Sequence, residues 1–173
     1  YTVLFENNGT SVKSLFRMVY DSALMTGPVR AFDEYKLNAS DKAALENGDL
    51  QVRTWGWYGN LDAAESAVPW ASRRSRTRLN AAGKPEYSVL YEELGPSAGL
   101  TVRSALKWIR DDVQEVIEAA DRYDLDKDEK MKLLDSNGFL AVDGAIQTLK
   151  AEHRNSRLRV DEEGAPLHAL RFA

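Results

Sequence analysis

Twice in this chain a basic segment containing Arg-Leu runs into Gly-x-Pro and leaves as an apolar stretch ending in an aromatic residue. The first copy is Arg76-Thr-Arg-Leu-Asn-Ala-Ala-Gly83-Lys-Pro85-Glu-Tyr-Ser-Val-Leu-Tyr91. The second is Arg157-Leu-Arg-Val-Asp-Glu-Glu-Gly164-Ala-Pro166-Leu-His-Ala-Leu-Arg-Phe172. Glycine and proline together mark a tight turn. Beyond the first turn, Val89 and Tyr91 alternate with Ser88 and Leu90, as the residues of a half-buried strand do. Each copy therefore reads as a β-hairpin entered from a basic segment.

Two further matches tie the ends of the chain together. Tyr1-Thr-Val-Leu-Phe-Glu parallels Tyr87-Ser-Val-Leu-Tyr-Glu, and Ala31-Phe-Asp-Glu-Tyr35-Lys-Leu37 parallels Ala119-Ala-Asp-Arg-Tyr123-Asp-Leu125. The copies lie about half the chain apart. Self-similarity at a fixed period comes before any other fold argument. It predicts two related halves, 1–86 and 87–173.

The rest of the pattern reads as helical. Leu15, Phe16, Val19, Tyr20 and Ala23 give helical spacing from Val12 to Met25, and Pro28 opens a further helix through Tyr35 and Leu37. A short helix, capped by Asn38 or Ser40, runs over Asp41 to Glu46. Leu61 to Arg78 reads as helix apart from Pro69. In the second half, Leu106, Ile109, Val113, Val116, Ala120 and Tyr123 recur at steps of three and four, which predicts a long amphipathic helix over 100–123. Asp126 or Asp128 starts another helix that stops at Asn137-Gly138, and a third runs from Ala141 to near Arg154. The expected fold class is mainly α with small antiparallel β-hairpins.

The net charge is −4, which by itself does not favour a nucleic-acid partner, but the charge is unevenly placed. Arg73, Arg74, Arg76, Arg78 and Lys84 follow one another with no acidic residue between them. Lys150, His153, Arg154, Arg157 and Arg159 are opposed by Glu152 alone. Such polarity can hold one face of a protein on an anionic surface. With no cysteine there is neither disulfide nor thiolate metal site, which suits a reducing, cytoplasmic setting. No apolar run is long enough to span a bilayer, and no signal-peptide pattern opens the sequence.

Three helices, the last one basic at its end, followed by a two-stranded turn, is the element order of Val102 to Phe172. In that order the stretch resembles a winged helix-turn-helix domain, with Gly144-Ala-Ile-Gln-Thr-Leu-Lys-Ala-Glu-His-Arg154 as third helix and Arg157 to Phe172 as wing. Ala63 to Val68, Trp70 to Arg78 and Leu79 to Tyr91 take the same roles in the first half, with Pro69 a departure from the pattern. The resemblance implies double-stranded DNA as partner, for transcription regulation or replication. It assigns the ten basic residues named above to the nucleic-acid interface. Arginines there neutralise phosphates and release counterions.

The alternative reading is a protein-interaction or adaptor module of a larger assembly, including a structural component of a phage or other mobile element. Its contact, or self-association, would run through the 100–123 helix. Asp124-Leu-Asp126-Lys-Asp128 imitates a calcium loop but carries Glu129 where the turn needs glycine, so an acidic helix start explains it better. Trp55-Gly-Trp57-Tyr58 reads as packing. No nucleophile-base pair, phosphate loop or cofactor motif is present, so the expectation is a non-enzymatic protein with no cofactor and no metal.

Overall fold

A computed structural model describes residues 2–6, 9, 11–20, 27–46, 73–94, 99–111, 113, 116–136, 138–139, 149–161 and 166–172. The aromatic cluster at Trp55 to Tyr58, and the opening residues of the two expected third helices (70–72 and 144–148), lie outside them. The chain separates into two compact units, Tyr1–Arg76 and Thr77–Ala173. The expected division between Glu86 and Tyr87 falls inside a strand.

The first unit holds β1 (Thr2–Phe5), β2 (Val12–Tyr20), β3 (Val29–Tyr35), the helix α1 (Ala39–Glu46) and the start of β4 (Arg73–Leu79). Strand order follows chain order, and the β1–β2 and β2–β3 pairs are antiparallel. Val12, Leu15, Ala31 and Tyr35 are buried. Phe16 meets Phe32 edge-on at 5.7 Å. The Val12 N–H donates to Glu46 Oε1 at 2.7 Å and ties the end of α1 to β2.

The second unit continues from Thr77 with the end of β4, then β5 (Pro85–Glu93), β6 (Leu100–Arg110), β7 (Ile117–Tyr123), the helix α2 (Lys127–Asp135), β8 (Arg154–Val160) and β9 (Pro166–Arg171). From β5 onward each strand pairs antiparallel with the next. The turn into β5 is built as its sequence asks. Asn80 Oδ1 accepts from the Ala82 and Lys84 N–H groups, and Gly83 takes φ +74°, which a side chain would resist. The core gathers Tyr87, Val89 and Tyr91 of β5, Val102 of β6, Tyr123 of β7 and Leu133 of α2.

The protein is thus mostly antiparallel β-sheet, and the mainly α reading is overturned. Neither a winged helix, nor a helix-turn-helix, nor a tandem pair of them is present among the described residues. Val12 to Tyr20 is a strand, and so is Val29 to Tyr35. The expected long helix over 100–123 is the β6–β7 hairpin, with Val113 in its turn and 91% exposed. Arg73 to Leu79 is strand, and Ala151–His153 is one 3-10 turn that passes straight into β8.

Bulges explain the misreading. Leu90 pairs with Ser104 but Tyr91 with Val102, so Arg103 is an extra residue. Ile109 pairs with Ala119 but Arg110 with Ile117, so Glu118 is another. Each extra residue shifts the in–out alternation by one. Buried positions therefore run Leu100, Val102, Ser104, Ala105, and the apolar residues of two strands and a turn fall three and four apart. The β-branched and aromatic residues Val102, Trp108, Ile109, Val116 and Ile117 suit a pleated surface better than a helix.

The first unit repeats these irregularities. Lys13 is the extra residue between the Leu4–Ser14 and Phe5–Val12 pairs, and Arg30 between Val19–Ala31 and Tyr20–Val29. Val12–Tyr20 and the Val102–Arg110 part of β6 share one order of buried and exposed positions. What the two units have in common is a bulged three-stranded meander followed by a helix.

Candidate functional site

Most of the basic residues nominated from sequence are turned onto carboxylates of their own unit. In the first unit Asp33 sits on β3 with no exposure. Arg76 grips it with two prongs: Nε donates to Oδ1 and Nη2 to Oδ2, both at 2.6 Å. Arg73 Nη1 lies 3.7 Å from Oδ2, and both arginine side chains are buried. A fork of this kind matches the planar guanidinium to the carboxylate and costs less desolvation than an unpaired charge.

The second unit contains the same trio, one aspartate and two arginines, on β7 and β8. Asp121 of β7 stands opposite Arg157 of β8 in register. Arg157 Nε donates to Oδ1 at 2.6 Å and Nη2 to Oδ2 at 2.8 Å, while Arg154 Nη1 lies 3.5 Å from Oδ2. Burial pushes the Asp121 carboxyl upward, but the hydrogen bonds and charge of Arg157, with Arg154 behind them, outweigh it and hold it below the usual value. The same contact raises Arg157. Burial and the Asp121 charge raise the Tyr123 hydroxyl beside them.

Neither aspartate was nominated from sequence, because each is more than thirty residues from its arginines. A signal was present. Asp33 and Asp121 occupy the same place in the Ala-x-Asp-x-Tyr match, and the Arg-x-x-Arg spacing recurs at Arg73/Arg76 and Arg154/Arg157.

The remaining nominees are dispersed. Arg74 projects outward, its side chain 68% exposed and 3.8 Å from Glu34. Arg78 Nε is 3.6 Å from Glu86, and its guanidinium lies 5.9 Å from the Phe139 ring centre. Lys84 is exposed on the hairpin turn and Arg159 on β8. Arg154 also covers the Phe172 ring, 4.2 Å from its centre.

Lys150 and His153 join a different cluster. Asp126 is the N-cap of α2. Its Oδ1 accepts from the Glu129 N–H, and Glu129 Oε2 accepts from the Asp126 N–H, a complete capping box. His153 Nδ1 lies 2.7 Å from the same Glu129 oxygen, and Lys150 Nζ donates to Asp126 Oδ2 at 2.8 Å. The Lys150 hydrogen bond, then that of the Glu129 N–H, hold the Asp126 carboxyl down at about 2. The ligand atoms of Asp126, Glu129 and His153 lie within 4.8 Å of one another, as a metal site requires. Yet their oxygens already hold donors, and an ammonium sits where a cation would repel it. The geometry is that of a clasp fastening the approach to β8 onto the start of α2. The calcium-like segment is therefore a capped helix rather than a loop.

The last strand is the other unusual feature. β9 is exposed along its whole length, with Leu167 at 60% and Leu170 at 52%. No helix among the described residues is long and apolar enough to cross a membrane. Comparison with protein families, with curated proteins and with solved structures finds no match to this chain.

Proposed function

We propose that the chain is a protein-binding module with an adaptor or structural role in a larger assembly, and that β9 is where it binds. The observation that carries this reading is the contrast between β9 and β5. Both follow a Gly-x-Pro turn and both end in an aromatic residue. In β5, Tyr87, Val89 and Tyr91 are core; in β9, Leu170 and Phe172, in the places of Val89 and Tyr91, face water. Among the described residues, β5 has a strand on each side and β9 only β8. An open edge with apolar side chains is what an added strand recognises, through main-chain hydrogen bonds and alternate side chains.

The placement of the basic residues supports the same reading. Arg73, Arg74, Arg76, Arg78, Arg154 and Arg157 lie against a carboxylate and Lys150 and His153 in the clasp, where each phosphate contact would first have to break a pair. Duplex DNA is the partner against which the proposal is measured. In the test, the chain is titrated with a labelled synthetic peptide of residues 99–111, which carries β6, and separately with duplex DNA at low salt. Saturable peptide binding that Leu170→Asp abolishes is the expected outcome. Binding to DNA that falls steeply with salt, with the peptide ignored, would overturn it.

A further inference from the structure

Building on that reading, we infer that the partner is an extended segment of another protein that mixes apolar residues with carboxylates. It adds antiparallel to β9, with one carboxylate set against Arg171 and another against His168 and Arg159. β8 and β9 together carry Arg154, Arg157, Arg159, His168 and Arg171, and not one acidic residue. Arg154 and Arg157 hold Asp121. Arg159 and Arg171 are exposed, and among the described residues no carboxylate pairs with either. The edge thus offers positive charge beside the exposed Leu167, Leu170 and Phe172.

The main chain fixes where such a segment takes hold. The Phe172 N–H donates to the Asn155 carbonyl at 2.8 Å, toward β8. Main-chain groups alternate sides along a strand. Leu170 and His168 therefore also bond toward β8, while Ala169 and Arg171 turn their N–H and C=O groups to the open edge. The regular part of β9 runs from His168 to Phe172. Before it, Arg159 pairs with His168 but Val160 with Pro166, which leaves Leu167 as an extra residue. Side chains across that stretch set the composition. Leu170 and Phe172 call for apolar neighbours. Ala169 is small and leaves Leu158 beside it 37% exposed, so a large apolar side chain opposite Ala169 covers both. Arg171 calls for a carboxylate directly across. A carboxylate opposite His168 accepts the ring N–H and lies one strand from Arg159. Read from its N-terminus, the segment is apolar, acidic, apolar, apolar, acidic. A second copy offering its own β9 brings arginine to the joint and no carboxylate. Duplex DNA brings negative charge but no apolar side chains for Leu170 and Phe172.

The 99–111 peptide supplies the frame for the test. In the register β5 uses on β6, its Val102, Ser104, Ala105, Leu106 and Lys107 fall opposite Phe172, Arg171, Leu170, Ala169 and His168. The peptide is thus apolar in the three places required and lacks the two carboxylates. A peptide carrying Ser104→Glu and Lys107→Glu should bind the chain about tenfold tighter than the parent peptide at low salt, and lose that advantage at high salt. With Arg171→Glu in the chain, the peptide carrying Ser104→Glu alone should bind more weakly than the parent peptide. Leu170→Asp should abolish binding of every peptide. Equal affinity for the parent and doubly substituted peptides, lost in both with Leu170→Asp, overturns the inference and leaves the protein-binding reading standing. An acidic preference that survives Arg171→Glu undiminished also overturns it. Binding of neither peptide removes both readings. Self-association in sedimentation that Leu170→Asp disperses and no peptide competes with gives β9 to a second copy and overturns the inference. DNA binding that Arg171→Glu weakens, with the peptides ignored, overturns it in favour of nucleic acid.

Discussion

The two units hold the same aspartate and the same pair of arginines, and shield them from water very differently. Around Asp33, the Arg73 and Arg76 side chains are 0% and 1% exposed; around Asp121, Arg154 and Arg157 are 36% and 34% exposed. The forks are otherwise alike, with contacts of 2.6 to 2.8 Å. Residue identity and strand register therefore set the geometry of the pair, while what lies outside the strand sets how much that geometry is worth. At the second fork the strand beyond β8 is β9, itself exposed, so water reaches the guanidiniums. The partly wet fork and the uncovered strand are one feature of the second unit.

The sharpest way to break the comparison is to remove each aspartate in turn. Asp33→Ala takes away the carboxylate that two buried guanidiniums hold, and removing one partner of a buried pair costs about 3–5 kcal/mol. Replacing Arg73 and Arg76 with Met in the same variant should restore much of that loss, since a buried pair is often no better than a packed apolar one. Chemical denaturation measures both. An Asp33→Ala variant within 1 kcal/mol of the parent, on the scale of an exposed pair, would mean that the difference in shielding has no energetic consequence.

Asp121→Ala should cost less, about 1–2 kcal/mol, because a third of each arginine side chain keeps its water. Its pH dependence sharpens the contrast. The folded Asp121 carboxyl titrates below its usual value of 3.8. The unfolded state then binds the proton first, so the stability this group contributes is present above pH 4 and lost as pH falls through the folded value. The gap in melting temperature between the parent and Asp121→Ala should be full at pH 7 and should shrink toward pH 3. A gap that widens in acid would mean that Asp121 is not held as the ionised partner of Arg157.

How much of this was legible in the sequence follows from where each signal sits. The hairpin at Gly83 and Pro85 was readable because turn chemistry is local. So was α2, because Asp126 and Glu129 cap it from within four residues. The matched strings at Tyr1 and Tyr87, and at Ala31 and Ala119, fall on strands of a bulged β-meander, and the tandem winged-helix order read onto them was wrong. Bulges at Lys13, Arg30, Arg103 and Glu118 reset strand parity and leave a helical spacing behind. The arginines were visible as a basic run, but their partners were not. Asp33 lies some forty residues from Arg76, and only the third dimension brings them together. Exposure of β9 has no sequence signal at all, since its residues match those of a buried strand.

The smallest expected effect tests where the two units are free to differ. Their registers agree on both sides of the β2–β3 and β6–β7 connections, as Tyr20–Val29 corresponds to Arg110–Ile117. The connections themselves, residues 21–28 and 111–116, differ in length. The shared frame therefore does not depend on them. Val113 lies in the shorter one, where its N–H donates to Asp111 Oδ1 at 2.7 Å and its side chain is 91% exposed. A helical reading of 100–123 places this valine at the centre of a buried seam, where an aspartate would unfold the protein. In the hairpin the new carboxylate stays in water, and Val113→Asp should change stability by no more than about 0.5 kcal/mol. Val102→Asp is the matched control eleven residues earlier, at a position with no exposure, and should abolish folding or nearly so. Equal losses for the two valines would return 100–123 to a continuous helix and take the common meander of the two units with it.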